Sequence, residues 1–294
     1  MAIDLRDAPK EKQNYDMCLA SVSVDGGQLE FVDPALQTEE LCLAAVKKTW
    51  WALEYVREQT PEICLAAVRH SGWALEYAKN QTDELCLTAV KQQGLALEYV
   101  EEQTPEICLA AVKQNGLTLQ FVQEQTSEIC LEAVKNSGVA LQYVREQTLE
   151  ICLAAVKQTW WALQFATKQT PEMCFGAIRQ SGLALSYVKD QTPELCMEAV
   201  RKCGCALEYV KDQTPELYLE AVKQNGRALE YVPRRKQTLP IAIAALKQNP
   251  ECRKYLAAKF RTPKVYKAAG YDYKPEDLAP ARSDTKRERT ETRH

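Results

Sequence analysis

The chain has 294 residues, 46% hydrophobic and 26% charged, the balance of a folded water-soluble protein. Its formal net charge of −3 is too near neutral to suggest nucleic acid or an acidic membrane as a partner held by charge alone. No window of about 18 apolar residues occurs, which argues against a transmembrane helix and any membrane insertion.

The first segment, residues 1–12, reads as an N-terminal arm. Asp4, Arg6 and Asp7 interrupt it and no apolar stretch follows, so it does not resemble a secretory leader. The expected location is intracellular, in cytoplasm or inside a virion or other large assembly, and not secreted. Residues 13–36 form a degenerate first repeat in which Cys18, Leu19, Val22, Leu29, Phe31 and Val32 keep an apolar pattern.

From Gln37 the dipeptide Gln-Thr recurs at Gln59, Gln81, Gln103, Gln125, Gln147, Gln169, Gln191, Gln213 and Gln237. The spacing is 22 residues until the last interval, lengthened by two around Pro233-Arg234-Arg235-Lys236. Self-similarity at such a period is the mark of a stacked repeat architecture. One unit, QTPEICLAAVKQNGLTLQFVQE, spans 103–124. Thr104 suits an N-cap, Pro105 the first helical position and Glu106 the first turn. Ile107, Cys108, Leu109, Ala111 and Val112 supply a broad apolar face. Lys113 suits the last turn, and Gly116 suits a left-handed helix stop. A second short helix follows, with Leu119, Phe121 and Val122 on its apolar side. Such helices are marginal alone, and stacking against neighbours is what stabilises them.

Nine such repeats fill residues 37–236, and residues 237–258 form a degenerate last one, where Ala242 takes the cysteine slot and Pro250 the glycine slot. The expected fold is all-α: a right-handed-type α-solenoid of about eleven stacked short helix–turn–helix repeats with degenerate end caps. Residues 259–294 read as a charged tail, with ten Lys/Arg against six Asp/Glu. Tyr266, Tyr271 and Tyr273 within it are candidates for packing on the last repeat.

The run QTPEICLAAVKQNGLTLQFVQEQTSEICLEAVKNSG, residues 103–138, resembles a 22-residue helical repeat family carried as a domain of unknown function and found in giant DNA viruses, amoeba-associated bacteria and algae. The resemblance covers roughly Tyr15 to Ala258. It implies a helical repeat without an established activity, and it transfers no catalytic motif.

Chemistry is scarce. Eight cysteines, from Cys42 to Cys196, fall one per repeat, a spacing that suits buried reduced thiols better than disulfides. Cys203-Gly204-Cys205 breaks this ladder, but with only Cys196 nearby in sequence it falls short of a zinc set. His70 sits in a slot filled elsewhere by Gln114, Gln158 and Gln180. No catalytic constellation, metal site or cofactor site is expected.

Departures from the period are therefore the candidate partner contacts. Trp50-Trp51 and Trp160-Trp161 replace the glycine and its successor, and Trp73 takes the second slot in its own repeat. Such indoles serve either as binding hot spots or as plugs between repeats. The slot after Cys-Leu runs from small residues (Ala44, Ala66) to acidic ones (Glu198, Glu220). Arg227 with Arg234 and Arg235 makes a basic knuckle. The expected function is a non-enzymatic protein-interaction scaffold or structural subunit, with a protein partner of unspecified identity. The alternative is a nucleic-acid-binding helical repeat protein. It is disfavoured because the tail contributes +4 to a total of −3, leaving the body at −7. Leucine-rich-variant repeats are a rival architecture, but they lack the Thr-Pro-Glu start.

Overall fold

A computed structural model describes residues 4–271. Contacts divide the chain into two compact units, Met1–Gln158 and Thr159–His294. Every regular element among the described residues is a helix, and each unit is a stretch of α-solenoid.

The first unit carries α1 (Tyr15–Val24), α2 (Glu39–Lys48), α3 (Pro61–His70), α4 (Asp83–Gln92), α5 (Pro105–Gln114), α6 (Ser127–Asn136) and α7 (Leu149–Gln158). The second carries α8 (Pro171–Gln180), α9 (Pro193–Lys202), α10 (Pro215–Gln224), α11 (Leu239–Gln248) and α12 (Pro263–Ala268). All but α12 have ten residues. Within each unit successive α-helices pack side by side.

The start of each helix follows the sequence. In nine successive repeats the threonine hydroxyl accepts the N–H of the third helical residue, at 3.3 Å for Ile107 on Thr104 and 3.4 Å for Leu217 on Thr214. Proline opens α3, α5, α8, α9 and α10, where its missing N–H costs nothing.

The second helix of each repeat is a six-residue 3₁₀ helix, Gly116–Phe121 in the fifth. Three residues per turn let Thr118, Leu119 and Val122 bury together on the α-layer, at 0% exposure. The glycine that opens this segment does not end the preceding helix in a left-handed turn. Among the described residues only Gly270 has positive φ, at 85°. Asn115 ends α5 in an extended conformation (φ −149°, ψ 110°), and Gly116 starts the 3₁₀ turn. Close approach is the reason for glycine. A Cβ on Gly116 would lie 2.3 Å from the Ala133 carbonyl oxygen of the next repeat.

The core is built from recurring slots: Ile107, Cys108, Ala111, Val112 and Leu119 are all at most 3% exposed. Leu109 differs from the sequence reading. It is half-exposed, as is Ala110, so the apolar face of α5 is narrower than its composition suggests.

Gln103 ties these elements together. Its Nε2 donates to the Phe121 carbonyl at 2.9 Å and to the Leu97 carbonyl of the preceding repeat at 3.5 Å. Its Oε1 accepts the Gln123 N–H at 3.0 Å and the Cys108 thiol at 3.5 Å. A second amide, on the last residue of the α-helix, links neighbours. Gln114 Oε1 accepts the Gly94 N–H at 2.8 Å, and its Nε2 donates to the Gln92 carbonyl at 3.3 Å.

Both ends fold further than the repeat count implies. Leu5 is buried, and its N–H donates to Gln28 Oε1 at 2.8 Å, so the N-terminal arm packs on the first repeat. Helical structure continues past Ala258 through α12, which packs on α11 and buries Tyr266. Tyr271 is half-exposed, while Tyr273 and the rest of the charged tail lie outside the described residues.

Three measurements check this account. Gln103→Leu keeps the volume but leaves the Phe121 carbonyl unpaired, and urea unfolding should show a loss of about 1–3 kcal/mol. A change below about 0.5 kcal/mol, the scatter of neutral surface changes, would remove the clamp from the explanation. Gly116→Asn separates the two roles of glycine. Asparagine is accepted in left-handed turns, yet here it should lower stability by about 1–3 kcal/mol, because its Cβ meets backbone. The third concerns pH. Burial, then the charge of Glu39, pushes the Cys42 thiol up to about 11, and burial followed by Asp83 and Glu101 does the same for Cys86. Folding thus favours the neutral thiols. This contribution is complete below about pH 9, where unfolded thiols stay protonated, and is lost as pH rises through about 11. Thermal midpoints should fall across that window, and less steeply in a Cys42→Ala/Cys86→Ala chain.

Candidate interaction surface

The 3₁₀ segments place the tryptophans. Trp50 and Trp160 open their segments in the glycine slot, and Trp51, Trp161 and Trp73 take the second position. The two members of each pair behave differently. Trp50 is half-buried and lies tilted on Tyr77 of the next repeat, with ring centroids 6.1 Å apart. Trp160 repeats this on Tyr187 at 5.9 Å. These two plug the space between repeats. Trp51 and Trp161 are 36% and 44% exposed. Trp51 meets Tyr55 edge-on at 6.2 Å and covers Gly27, whose added Cβ would come within 2.3 Å of the indole. Trp73 is half-buried, edge-on to Tyr99 at 6.0 Å.

Those tyrosines belong to an aromatic slot that closes every six-residue 3₁₀ segment among the described residues. In the first unit it holds Phe31, Tyr55, Tyr77, Tyr99, Phe121 and Tyr143, all half-exposed. Just before it stand Glu30, Glu54, Glu76 and Glu98, all exposed. Partial desolvation, then Glu30, Glu54 and the Tyr77 phenol, raise the Tyr55 pKa. Desolvation, then Glu76 and Glu54, raise Tyr77, and desolvation, then Glu76 and Glu98, raise Tyr99. Glu54 thus acts on the phenols of two successive repeats, as does Glu76. Every charge that acts on these three phenols is negative. Carboxylates and aromatic rings alternate along this face.

The second unit has a shorter counterpart. Glu208 raises the phenols of both Tyr209 and Tyr231, and Tyr231, mainly through burial, reaches about 12.

The basic positions do not come together in one knuckle. Arg227 is exposed at the second residue of the segment Gly226–Tyr231. Arg234 and Arg235 lie in a separate 3₁₀ turn, Arg234–Lys236, beyond the far end of that segment. Five residues at about 2 Å each separate the two ends of the segment. The acidic slot is partly paired: Glu132 meets Lys135 at 3.1 Å and Glu220 meets Arg201 at 3.6 Å. Exposed pairs of this kind contribute about 0–1 kcal/mol each.

On the opposite edge of the repeats the half-exposed Leu43 and Ala44 line a shallow open groove with Glu39, Glu40, Lys47 and Glu62. His70 borders a neighbouring groove, with Nδ1 3.3 Å from the Val46 carbonyl. Among the described residues no group of three or more His, Cys, Asp or Glu side chains could hold a metal ion. Neither is any helix there long and apolar enough to cross a membrane.

The sequence singled out the tryptophans but passed over the aromatic–carboxylate slot. Its signal was available: an aromatic residue recurs once per repeat, preceded by glutamate in six repeats.

No curated protein and no solved structure matches the chain. A model of a domain of unknown function, DUF4116, matches residues 60–104, 82–126, 104–148, 126–170, 192–235 and 214–261. Each match spans about two successive repeats, and together they cover more than half of the sequence. The chain therefore belongs to the family described as DUF4116, a domain of unknown function.

Proposed function

We propose that this chain is a non-enzymatic protein-interaction scaffold whose 3₁₀ face recognises a basic segment of a partner protein. The alternation of Glu54, Tyr55, Glu76, Tyr77, Glu98 and Tyr99 carries this reading. A guanidinium or ammonium group on this face would find a carboxylate to pair with and a phenol ring to lie on. Each exposed cation–π contact contributes about 0.5–1 kcal/mol, and each exposed ion pair about 0–1 kcal/mol. No single rung suffices for binding, but several in register do. Trp51, exposed beside Tyr55, adds an aromatic anchor at one end.

The same geometry argues against nucleic acid, because a row of carboxylates repels phosphate. Membership of a larger assembly fits the reading, since a repeat surface can hold a long stretch of partner. An intracellular location is supported by the chemistry of the cysteines. Ten of the twelve are buried and free, as suits a reducing compartment.

Tryptophan fluorescence of the full chain tests the proposal directly. A synthetic peptide with arginine at every third position should quench or shift the emission, and its affinity should fall as salt rises from about 50 to 300 mM, because these contacts are exposed to screening. The triple variant Glu54→Gln/Glu76→Gln/Glu98→Gln should bind at least tenfold more weakly. Equal binding by the variant, or equal binding of a glutamate peptide by the native chain, would sink the reading. Tight salt-dependent binding of single-stranded RNA by the native chain would favour the nucleic-acid alternative instead.

A further inference from the structure

Ten of the twelve cysteines are buried, and Cys203 and Cys205 are half-exposed. They occupy two different slots, filled in other repeats by Asn115 or Ser137 and by Leu117 or Val139. Neither slot belongs to the cysteine ladder.

Local backbone brings the pair together. Cys203 ends α9 in an extended conformation (φ −148°, ψ 111°), and Gly204 opens the 3₁₀ segment Gly204–Tyr209. The distance between the Cα atoms of 203 and 205 depends only on the angles at Gly204. For helical angles it is about 5.5 Å, inside the range of roughly 4.4–6.8 Å that disulfides occupy. The Cys203 thiol is near enough to raise the Cys205 pKa. The Asn225 amide of the next repeat donates to the Cys205 Sγ at 3.2 Å. On the other side Cys203 packs against Gly182, where an added Cβ would lie 2.9 Å from the Cys203 Cβ.

We propose that Cys203 and Cys205 form a dithiol that is reversibly oxidised to an intramolecular disulfide by small disulfides of the oxidised-glutathione class. One protein thiolate attacks a sulfur of the small disulfide, forming a mixed disulfide and releasing one small thiol. The second protein thiol, as thiolate, attacks the protein sulfur of that bond and releases the second. The protein loses two electrons and two protons, and the small disulfide is reduced to two thiols. Burial and the neighbouring thiol push the Cys205 pKa up, while the Asn225 amide opposes them. The ladder cysteines are poor competitors. Their sulfurs lie in the core, as Cys196 does with its thiol on Gln191 Oε1 at 3.6 Å. Cys252, outside the ladder, is buried as well, and burial pushes its thiol up to about 12.

Oxidation has a structural consequence. The new bond spans the joint between α9 and its 3₁₀ segment, and it alters the sulfur that Asn225 grips. That contact and the bond from Gly204 N–H to Gln224 Oε1, at 2.6 Å, both join this repeat to the next. The pair therefore lies where a covalent change alters one inter-repeat contact.

Peptide mapping of the full-length native chain tests the assignment. Trypsin cuts after Lys202 and Lys211, so both cysteines fall in one peptide, CGCALEYVK. After incubation with oxidised glutathione and alkylation in denaturant, this peptide should be two hydrogens lighter than its reduced form and carry no alkyl group. The ladder cysteines should be fully alkylated. Pre-treatment with dithiothreitol should restore two alkyl groups. In Cys205→Ser the chemistry should stop at glutathionylated Cys203. Full alkylation of CGCALEYVK in the wild type, stable glutathionylation of both thiols, or ladder cysteines oxidised at the same rate would overturn the proposal. The result is independent of peptide binding at Glu54–Tyr99, so the two proposals stand or fall separately.

Discussion

One glutamine per repeat answers a problem that six-residue 3₁₀ helices cannot solve for themselves. With bonds from i to i+3, such a segment leaves about half of its backbone groups unpaired, and an unpaired buried group costs about 1–3 kcal/mol. The Gln103 amide supplies a donor and an acceptor in one planar group. It closes its own repeat at Phe121 and Gln123 and reaches back to Leu97 in the one before. The pattern recurs at Gln59, which donates to Tyr77 and Leu53, and in the second unit at Gln191, which donates to Tyr209 and Leu185. Even the capping repeats keep it: Gln13 accepts the Asp33 N–H and donates to Phe31, and Gln237 accepts the Ala257 N–H and donates to Tyr255. The cysteine thiol completes the amide's coordination from the core side, which gives the cysteine slot a polar role beyond filling volume.

Once this clamp is in place, the period becomes rigid. The length from each glutamine to the backbone it grips is fixed because both ends are hydrogen-bonded, so an insertion is tolerated only outside the clamp. The two longer intervals obey this. Pro34–Leu36 and Arg234–Lys236 each form an extra 3₁₀ turn after the aromatic slot and before the next glutamine. The second amide ladder adds a constraint on the other side, where Asn136 Oδ1 accepts the Gly116 N–H at 2.7 Å. Glycine is needed there because the same approach that makes the bond brings the Ala133 carbonyl into the space of a Cβ.

Much of this was legible in the sequence. Thr104, Pro105 and the apolar slots define the α-helix and its start, because caps and periodicity are local effects. The role of Gly116 was not, since a helix stop and a close approach both demand glycine and differ only in a partner 17 residues away. Nor was the 3₁₀ geometry of Gly116–Phe121, as six residues are too few to separate a period of 3.0 from 3.6. Leu109 looked like core because a ten-residue helix rich in apolar residues reads as apolar all round, and only packing shows which side faces out. For the tryptophans the sequence left plug and hot spot open. The structure assigns the plug to Trp50 and Trp160 and exposure to Trp51 and Trp161.

The carboxylates of the aromatic face separate what the scaffold demands from what it permits. The ring persists in every repeat from Phe31 to Tyr255, but the residue before it does not stay acidic. Glu98 is followed by Gln120, Gln142, Gln164 and Ser186 before Glu208 and Glu230 restore the charge. All six of the glutamates from Glu30 to Glu230 are exposed, and so are their neutral replacements, so packing does not choose among them. The ring is therefore part of how repeats stack, as the contacts of Trp50 with Tyr77 and Trp73 with Tyr99 show. The charge is free to vary, and it is concentrated where the tryptophans of the first unit also gather. A surface property that the fold does not require, clustered beside the aromatic departures from the period, is where recognition can be built without disturbing the stack.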